Sequence, residues 1–411
     1  MPISDLLRPV STAAPDFFSS DYLSVTTSPF VRDAFLRNLA SSPRILGSGG
    51  SRLGTGNTDA YTHIEERLRN LFGGPGIHAC DALLFNSGYD ANRVFWSTVP
   101  QKGDAIVFDN YVHISMKDGM FQSRAGSTGA LYPFEHNAIV AFKERVGEAL
   151  KEHPNISEGK GTLFVAVETL YSMDGDFARL REIFKAADEL IPAGCAHMMV
   201  DEAHTTGLFG PDGRGLLFEL GLETRVDTVL HTFSKAWGMS GGVIMTSPLI
   251  RKYMIMRGKP VMFSTALPYS HICGLNTVLD YVTSTAGSEQ RERVRELCLY
   301  FSDCLAKGLR SVSPKLLRLD DVEISSYHRQ TVVSPIFPIL TPAYTSLANF
   351  LGAYGYAVTA IGFPAVPRGQ ERIRVTIHAG NTEAELDEFI ACLMRWASGM
   401  QNGKRLERSR L

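Results

Sequence analysis

The sequence predicts an α/β protein with a mostly parallel sheet and a second, smaller domain. Two observations favour this fold class. Short apolar segments alternate with longer amphipathic segments through the first two thirds of the 411 residues, which is the pattern of strand–helix–strand units with helices on both faces of a sheet. From about residue 270 the alternation gives way to long charged helices and a few separated strands, which indicates a smaller α+β domain.

Six apolar segments are predicted as strands of the large domain: 81–87, 104–109, 162–168, 197–202, 227–233 and 241–247. Amphipathic stretches such as 62–72 and 177–191 lie between several of them and are predicted as helices. Polar residues stand mainly at the C-terminal ends of these strands. Ligands bind at that edge of a parallel sheet, so the functional site is expected there.

The second domain begins where the alternation ends. A charged helix is predicted over 288–309, followed by strands in VVSPIFPIL and RIRVTIHA and a final helix in TEAELDEFIACLMRWASGM. The predicted organisation is therefore an N-terminal arm over 1–40, a large cofactor-binding domain over 41–265, a small C-terminal domain over 266–400 and a tail over 401–411.

Composition argues against several classes of protein. Hydrophobic residues make up 44% and charged residues 20%, with a formal net charge of -2, so no basic face for nucleic acid is indicated. We expect no membrane span, because no run of 18 apolar residues occurs, and no secretory signal. The six cysteines are scattered, which predicts neither a disulfide framework nor a metal site.

The last residues, Ser409–Arg410–Leu411, resemble a peroxisomal address, so we expect a peroxisomal protein in a eukaryote and a cytoplasmic one otherwise.

Three polar residues follow the ends of neighbouring predicted strands. Asp201 ends the apolar segment HMMVD, and His204 follows it. A carboxylate at a buried strand end is costly unless it is paired. Asp201 therefore either caps the next turn or faces a buried cation, such as the protonated ring nitrogen of a pyridoxal cofactor, and His204 could then bind the ring oxygen or the substrate. Lys235 follows the next strand. It is either a solvated charge or a desolvated amine that forms a Schiff base.

Two further segments could complete such a site. In FNSGYDAN a strand ends and a helix begins near Gly88; backbone N–H groups at a helix N-terminus bind phosphate, and a plain strand-to-helix turn is the alternative. Thr232 and Ser234 could add hydroxyl donors to the same phosphate. His113 follows another strand end, where it either stacks on a cofactor ring or is a hydrogen-bonded loop residue.

Together these fragments resemble the α-oxoamine synthases, a family of pyridoxal-phosphate enzymes. The resemblance extends from FFSSDYLSV (17–25) to the last helix. It is carried by motifs in the family's order: GSGGSRLGTGN, LLFNSGYDAN, DNYVHISMKDG, VETLYSMDGDFARL, VDEAHTTGLFGPDGRG, HTFSKAWGMSGG, FSTALP and PAVPRGQERIRVTIHAGNTEAELD. The resemblance implies the pyridoxal-phosphate fold type I, pyridoxal 5'-phosphate as cofactor, and a homodimer whose subunits share active sites.

The resemblance also implies roles for individual residues. Lys235 would be the Schiff-base lysine, Asp201 the partner of the ring nitrogen, His204 the ligand of the ring hydroxyl and His113 the stacking histidine. Further cofactor contacts would come from Gly88, Tyr89, Thr232 and Ser172, and from Ser264 and Thr265 of the neighbouring subunit. Arg374 would bind the carboxylate of the amino-acid substrate, which a guanidinium holds through two hydrogen bonds.

The implied reaction is a decarboxylative condensation of an amino acid with an acyl thioester, in which Lys235 is both the anchor and the general base. The products are an α-amino ketone, CO2 and a free thiol. Fragments such as LLFNSGYDAN and PQKGDAIVFDNYVH look most like the 8-amino-7-oxononanoate synthase branch, which functions in biotin biosynthesis. That likeness favours L-alanine and a pimeloyl-CoA-like donor. A synthase for another acyl-CoA or polyketide thioester is the alternative; a plain aminotransferase and an inactive partner subunit are also considered.

Three positions depart from the family pattern. Tyr61 stands where a histidine is usual, and Ala365 replaces a threonine near the expected substrate site. Many members place a substrate-contacting arginine in the N-terminal arm, where the candidate in this chain is Arg8. Because Ala365 lacks the hydroxyl that a threonine would place near the substrate, this departure points to a difference in substrate preference.

Overall fold

The computed structural model describes residues 15–320, 323–325 and 331–402. The candidate substrate residue Arg8 and the C-terminal Ser409–Arg410–Leu411 lie outside the described residues. Within the described part of the chain, no helix is long and apolar enough to cross a membrane.

The large domain consists of a seven-stranded sheet between helices. Its strands are β1 (Asp81–Phe85), β2 (Ala105–Asp109), β3 (Leu131–Phe134), β4 (Leu163–Glu168), β5 (Ala196–Asp201), β6 (Thr228–Thr232) and β7 (Gly242–Thr246). Its helices are α1 (Pro29–Ser41), α2 (Asp59–Phe72), α3 (Gly88–Thr98), α4 (Ile114–Gln122), α5 (Ile139–Glu152), α6 (Pro154–Ser157), α7 (Leu180–Leu190), α8 (Leu216–Leu220), α9 (Pro248–Arg257) and α10 (Lys259–Phe263).

The strand order is β1-β7-β6-β5-β4-β2-β3. The central strands run parallel, and β7 lies antiparallel to both β1 and β6, so the predicted fold class is confirmed. The reversal has a simple cause: β6 and β7 are joined by residues 233–241 alone, which is too short for a crossover to a parallel neighbour. Along most of these strands every residue is buried, as expected for a sheet covered on both faces.

The six predicted strands are all present; β5 has the predicted length but begins and ends one residue earlier, and the other five are one or two residues shorter than predicted. Strand β3 was not predicted. Its sequence LYPF contains Pro133. Proline has no backbone N–H to donate, so its presence argues against a strand at this position. Because β3 lies at the edge of the sheet, the missing donor is tolerated.

The small domain packs helices against a four-stranded antiparallel sheet of order β12-β13-β11-β8. Its strands are β8 (Arg318–Leu319), β9 (Glu323–Ser325), β10 (Thr331–Val333), β11 (Ile336–Leu340), β12 (Thr359–Ile361) and β13 (Arg372–Thr376), with β9 and β10 forming a separate pair. Its helices are α11 (Tyr269–Val282), α12 (Thr285–Leu309), α13 (Tyr344–Ala353) and α14 (Glu383–Gln401). A capping box of Thr382 and Glu385 begins α14, which satisfies backbone donors at its first turn.

One contact fixes the small domain to the loop at the end of β4, and a second joins it to the N-terminal segment. Arg372 of β13 is buried and donates hydrogen bonds to Met173 O at 3.0 Å and Asp174 Oδ1 at 2.7 Å, in the loop after β4. The segment before α1 lies against the small domain, where Thr376 N donates to Phe17 O at 2.9 Å. The predicted domain boundaries themselves stay a prediction.

Candidate active site

The carboxyl ends of β4, β5 and β6 bring Glu168, Asp201 and Thr232 to one edge of the sheet. Glu168 and Asp201 are direct partners in the register of β4 and β5. The turn after β6 then carries Lys235 toward the same edge, where its amine interacts electrostatically with Asp201, Glu168 and Arg374. The structure therefore brings together strand ends that are far apart in the sequence, as the parallel arrangement requires.

Lys235 is held in a tight turn. Its carbonyl oxygen accepts a hydrogen bond from Gly238 N at 2.8 Å, and Met239 N donates to Phe233 O at 2.8 Å. Gly238 has a φ of 59°, a left-handed conformation in which glycine is favoured. The side chain of Lys235 is half-buried, and desolvation lowers the pKa of its amine to about 8, against the opposing pull of Asp201 and Glu168. A lysine in this state has a substantial neutral fraction near neutral pH.

Asp201 is buried, with 2% of its surface exposed. One carboxylate oxygen accepts from Asn92 Nδ2 at 2.8 Å and the other from Ala203 N at 2.8 Å. Hydrogen bonds of this kind favour the ionised carboxylate. The carboxylate of Asp201 is therefore held in one orientation by two donors, as a partner of a protonated ring nitrogen must be.

His204 is also buried, and its Nδ1 lies 2.6 Å from the hydroxyl oxygen of Tyr22. Burial and the nearby Lys235 and Arg374 hold the pKa of His204 well below its ordinary value, so the ring is neutral. Burial raises the pKa of Tyr22 to about 12, so its hydroxyl stays protonated. When the Tyr22 hydroxyl donates to Nδ1, the histidine's proton lies on Nε2. That tautomer presents a donor, which suits binding of a cofactor hydroxyl oxygen.

His113 is the N-cap of α4, and its Nδ1 accepts a hydrogen bond from Ser115 N at 3.2 Å. Its backbone N–H donates to Glu168 Oε1 at 2.5 Å. Glu168 is buried, and burial together with the neighbouring Asp201 raises its pKa well above the ordinary value. Glu168 had no predicted role, because a glutamate at the end of an apolar strand carries no motif by itself.

The turn from β1 into α3 forms a pocket that only glycine permits. A Cβ on Gly88 would lie 2.9 Å from Thr232 Oγ1, and a Cβ on Gly242 would lie 2.8 Å from Gly88 Cα. Ser87 caps α3 by accepting from Asp90 N at 3.0 Å, which leaves other N–H groups of the first turn without an intrahelical partner. Tyr89 is more exposed, and its hydroxyl donates to Asp118. This arrangement suits a phosphate at the N-terminus of α3.

Arg374 lies on β13, on the same face as Arg372. Its Nη2 donates to Ser20 Oγ at 3.1 Å, and its Nη1 lies 3.4 Å from the backbone oxygen of Ser172. No carboxylate of the described residues forms an ion pair with Arg374, whereas Arg372 pairs with Asp174 at 2.7 Å. Arg374 is thus an oriented cation that remains open to a substrate carboxylate.

Three other predicted residues are exposed to solvent. Ala365 is exposed in the segment between β12 and β13. Ser264 and Thr265 are exposed just after α10, and the backbone oxygen of Thr265 accepts from Asn86 Nδ2 at 2.8 Å within the same chain. The chain's own Thr265 is therefore close to the turn before Gly88. The contact of Ser264 and Thr265 with the phosphate of the neighbouring subunit stays a prediction.

Tyr61, which replaces the family's histidine, is a buried structural residue in this chain. Its hydroxyl donates to Leu84 O at 3.2 Å, and the Arg52 guanidinium lies 3.9 Å from the centre of its ring. Arg52 in turn forms a bidentate pair with Glu65 at 2.8 and 2.9 Å. The tyrosine stabilises the packing of α2 on β1 beside the predicted phosphate pocket.

A cavity of about 550 Å³ opens beside the turn at Asn110 and Tyr111. Most of its lining is polar or charged: Asn110, Tyr111, Glu135, His136, Asp174, Asp176, Arg318, Asp320, Gln370 and Arg372, with Pro338, Leu340 and Pro367. His136 is fixed in its wall, with Nδ1 2.9 Å from Asp109 Oδ1 and Nε2 2.9 Å from Asp176 Oδ2.

The donor set fits the pyridoxal phosphate that the sequence led us to expect. A fixed carboxylate, a neutral histidine with a free N–H, a glycine-lined helix N-terminus and a lysine with a lowered pKa all face one edge of the sheet. Each group matches a different part of the cofactor: the ring nitrogen, the ring oxygen, the phosphate and the aldehyde. The structure thus supplies a partner for every polar group of the cofactor.

Comparison with known proteins agrees with this assignment. A family model for class I and II aminotransferases matches residues 16–393. The chain is 34% identical to the 8-amino-7-oxononanoate synthase of Emericella nidulans, covering 96% of this chain and 92% of the relative. It is 34% identical to the aminoacyl transferase sphA of Aspergillus fumigatus, covering 94% and 82% respectively. A solved structure of serine palmitoyltransferase from S. paucimobilis with a bound PLP–myriocin aldimine is 28% identical, has a TM-score of 0.77, and is matched over 94% of this chain and 87% of that one.

Proposed function

Because this chain belongs to the class I and II aminotransferase family, and within it to the pyridoxal-phosphate-dependent α-oxoamine synthases, we propose that it condenses a small amino acid with an acyl thioester. L-alanine and a pimeloyl-CoA-like donor are the favoured pair. The products would be an α-amino ketone, CO2 and a free thiol, as in 8-amino-7-oxononanoate synthase. The enzyme is thus a C-acyltransferase whose substrates are the subject of the proposal.

One observation carries the amino-acid half of this proposal. Arg374 is oriented by Ser20 and by the backbone of Ser172, interacts electrostatically with Lys235, and has no carboxylate partner among the described residues. A guanidinium in this state binds a carboxylate through two parallel hydrogen bonds. The Cα of an amino acid held there would be presented to the amine of Lys235.

The chain's own residues supply binding, orientation and proton transfer. When bound, pyridoxal phosphate supplies an electron-withdrawing ring that stabilises negative charge at the amino-acid Cα. Asp201 would hold the ring nitrogen in its protonated form, and the His204 Nε2–H would donate to the ring oxygen. Lys235, with its pKa lowered to about 8, can act as the neutral base that removes the Cα proton.

The polar cavity beside Tyr111 supports a donor that carries polar groups. Its lining includes Arg318 and His136 among several acidic side chains. A long alkyl chain would gain little from entering such a cavity, because burial of apolar surface is favourable only against apolar neighbours. A thioester with a polar arm fits this lining better.

The second candidate is a synthase for a longer or different acyl thioester. The identity to the aminoacyl transferase sphA is 34%, equal to the identity to the 8-amino-7-oxononanoate synthase, so sequence similarity does not separate the two. An aminotransferase would need an amino-group acceptor instead of a thioester, and an inactive subunit would have no need of the retained Lys235, Asp201 and His204.

We also propose a homodimer with shared sites. Apolar side chains close to the phosphate pocket are exposed, including Leu46 at 77%, Leu53 at 54% and Phe263 at 76%. A second copy of the chain would cover them and bring its Ser264 and Thr265 near the pocket.

We further propose that Ser409–Arg410–Leu411 directs import into peroxisomes. Deletion of these residues from a fluorescent fusion should abolish its localisation to peroxisomes.

The deciding experiment is a matrix of amino acids against acyl-CoAs of different length and end group. Thiol release is followed with a thiol dye, and the product is identified by mass. We expect the highest kcat/KM with L-alanine and a dicarboxylic acyl-CoA, and none with Lys235→Ala. A preference for palmitoyl-CoA would favour the second candidate. Amino transfer to a keto acid without thiol release would contradict the synthase assignment.

A further inference from the structure

Asn92 of α3 links two residues of the proposed cofactor site, Asp201 and His113, that share no direct hydrogen bond. Its side chain is 1% exposed. The amide Nδ2 donates to Asp201 Oδ2 at 2.8 Å and to Ser115 Oγ at 3.1 Å. Ser115 Oγ lies 2.7 Å from His113 Nδ1. A continuous chain of hydrogen bonds therefore runs from Asp201 through Asn92 and Ser115 to the imidazole of His113.

The direction of every bond in this chain is determined. The backbone N–H of Ser115 can only donate, so Nδ1 of His113 accepts and the proton of the neutral ring lies on Nε2. Ser115 Oγ accepts from Asn92, so its own proton is free to bond Nδ1. Reversing the Asn92 amide would place its oxygen against the Asp201 carboxylate, which is repulsive. The observed orientation leaves Asn92 Oδ1 buried with no partner among the described residues.

An unsatisfied buried carbonyl is unfavourable, so this orientation of Asn92 is retained against a penalty. The other side of His113 is also fixed, since its backbone N–H donates to Glu168 Oε1. Glu168 and Asp201 are register partners on β4 and β5. The position of His113 relative to Asp201 is thus determined from both directions.

We propose that Asn92 is a positioning residue that fixes the orientation of the His113 imidazole relative to the carboxylate of Asp201. The proposal rests on the proposed function, in which these two groups contact the face and the ring nitrogen of one cofactor. Without Asn92 the Asp201 carboxylate loses a donor, and Ser115 loses the partner that turns its proton toward Nδ1. Asp201 and His113 would then no longer be held in a fixed orientation relative to each other, and so relative to the cofactor.

The test compares cofactor binding by Asn92→Ala, Ser115→Ala and the double variant with that of the wild type. The dissociation constant of pyridoxal 5'-phosphate and the visible circular dichroism of the bound cofactor are measured without any substrate. Because hydrogen bonds to charged groups contribute strongly, we expect Asn92→Ala to weaken binding about tenfold. We also expect reduced dichroism intensity in both single variants. In the double variant, the loss of binding free energy should be smaller than the sum of the two single losses, because both residues belong to one chain of hydrogen bonds.

Val94→Ala is the matched control, because Val94 is buried on the same helix and makes no bond in this chain. It should lower the melting temperature and leave the dichroism unchanged; an equal spectral change in Val94→Ala would overturn the proposal. Wild-type affinity and dichroism in Asn92→Ala would also overturn it. Should Asn92→Ala fail to fold, an unchanged spectrum in Ser115→Ala decides against the proposal. If the wild type itself takes up no cofactor, the proposed function fails, and this inference with it.

Discussion

At the scale of single residues, the chemistry depends on which charges are desolvated and which are paired. Lys235 and Glu168 are each shifted toward their neutral forms by burial, while Asp201 accepts two hydrogen bonds that favour its charge. The site thus places a hydrogen-bonded carboxylate near a titratable amine. This division is what a lysine base beside a protonated ring requires.

The pKa of Lys235 predicts the pH dependence of cofactor capture. The neutral amine is the form that reacts with an aldehyde, so the rate at which the apoprotein takes up pyridoxal phosphate should rise with pH and reach half its maximum near about 8. Stopped-flow absorbance across pH 6–11 measures this rate, with Lys235→Ala as the background. A midpoint near the ordinary lysine value of 10.5 would show that the amine is not desolvated.

Substitution of Arg374 predicts a selective loss of amino-acid binding. Arg374→Gln should raise KM for the amino acid about tenfold to a hundredfold, because a hydrogen-bonded charge is lost, and should leave cofactor affinity unchanged. Arg374→Lys should recover only part of the loss, since an ammonium lacks the planar fork. Arg368→Gln removes an exposed guanidinium over Phe363 and serves as control. A uniform fall in kcat without a change in KM would contradict this role.

The residues that sequence patterns predicted and those they missed differ in a physical way. Lys235, Asp201, His204 and His113 stand at strand ends, where a polar residue after an apolar run is visible in the sequence. Tyr22, Asn92 and Glu168 become meaningful only when distant segments meet. Tyr22, for example, reaches His204 across 182 positions of sequence, and such long-range pairings leave no local pattern.

At the scale of elements, the loop after β5 is held by one buried carboxylate. Glu202 Oε2 accepts from Leu216 N at 3.1 Å and Oε1 from Leu217 N at 2.7 Å, at the start of α8. A Cβ on Gly215 would lie 1.4 Å from Glu202 Oε2. Because Glu202 directly follows Asp201, this contact also fixes the end of β5 that carries the catalytic carboxylate.

Two glycines at opposite ends of α8 provide a matched pair of variants. Both have positive φ, 115° at Gly215 and 65° at Gly221, but a Cβ on Gly221 would meet nothing within 4 Å. Gly221→Ala should therefore cost only the left-handed strain of about 1–2 kcal/mol. Gly215→Ala should cost at least ~3 kcal/mol, because Gly215, at φ 115° and ψ 176°, lies in a region essentially restricted to glycine and its Cβ would also clash with Glu202. Urea denaturation measures both free energies; equal losses would contradict the role of Glu202.

His136 joins β2 and the loop after β4, and its contribution should depend on pH. Burial alone would lower its pKa, but hydrogen bonds to Asp109 and Asp176 raise it to about 10. A histidine whose folded-state pKa lies above its unfolded value of 6.5 stabilises fully below that value, and the stabilisation is lost as pH rises toward 10. His136→Gln should therefore cost about 3–5 kcal/mol at pH 6.

The difference between His136→Gln and the wild type should shrink steadily from pH 6.5 to pH 10, as followed by urea denaturation at each pH. His78→Gln is the control, since His78 is exposed and lies 3.4 Å from Asp227; it should change stability little at any pH. A pH-independent cost for His136→Gln would indicate that the imidazole is neutral in the folded protein.

At the scale of the whole molecule, the site is formed between two domains and, in the proposed dimer, between two chains. Arg372 and Arg374 extend from one strand of the small domain to the loop after β4. The alternation of strands and helices predicted the large domain well, because each local pattern determines a separate element. Which small-domain strand faces the site depends on how the two domains pack against each other. Local sequence patterns do not specify that packing.

Mixing of inactive variants tests whether sites are shared between chains. Lys235→Ala and Thr265→Glu should each be inactive as homodimers. If Thr265 acts on the partner's phosphate pocket, a heterodimer retains one intact site, so activity should return after refolding the two together. If Thr265 acts within its own chain, where it accepts from Asn86, both sites stay defective. Lys235→Ala mixed with Arg374→Gln is the control and should stay inactive, because these two residues interact within one chain.

The placement of β1 has a consequence for how the protein is made. Within the described residues β1 pairs with β7 alone, with Phe85 opposite Gly242, and Gly88 is packed against that same glycine. On the ribosome, β1 emerges well before its partner, and at ordinary elongation rates the delay is on the order of ten seconds. Throughout that interval an apolar strand has an unpaired edge, which is the condition that chaperones recognise. The phosphate pocket cannot exist before β7 is synthesised, so pyridoxal phosphate can assist only the late steps of folding.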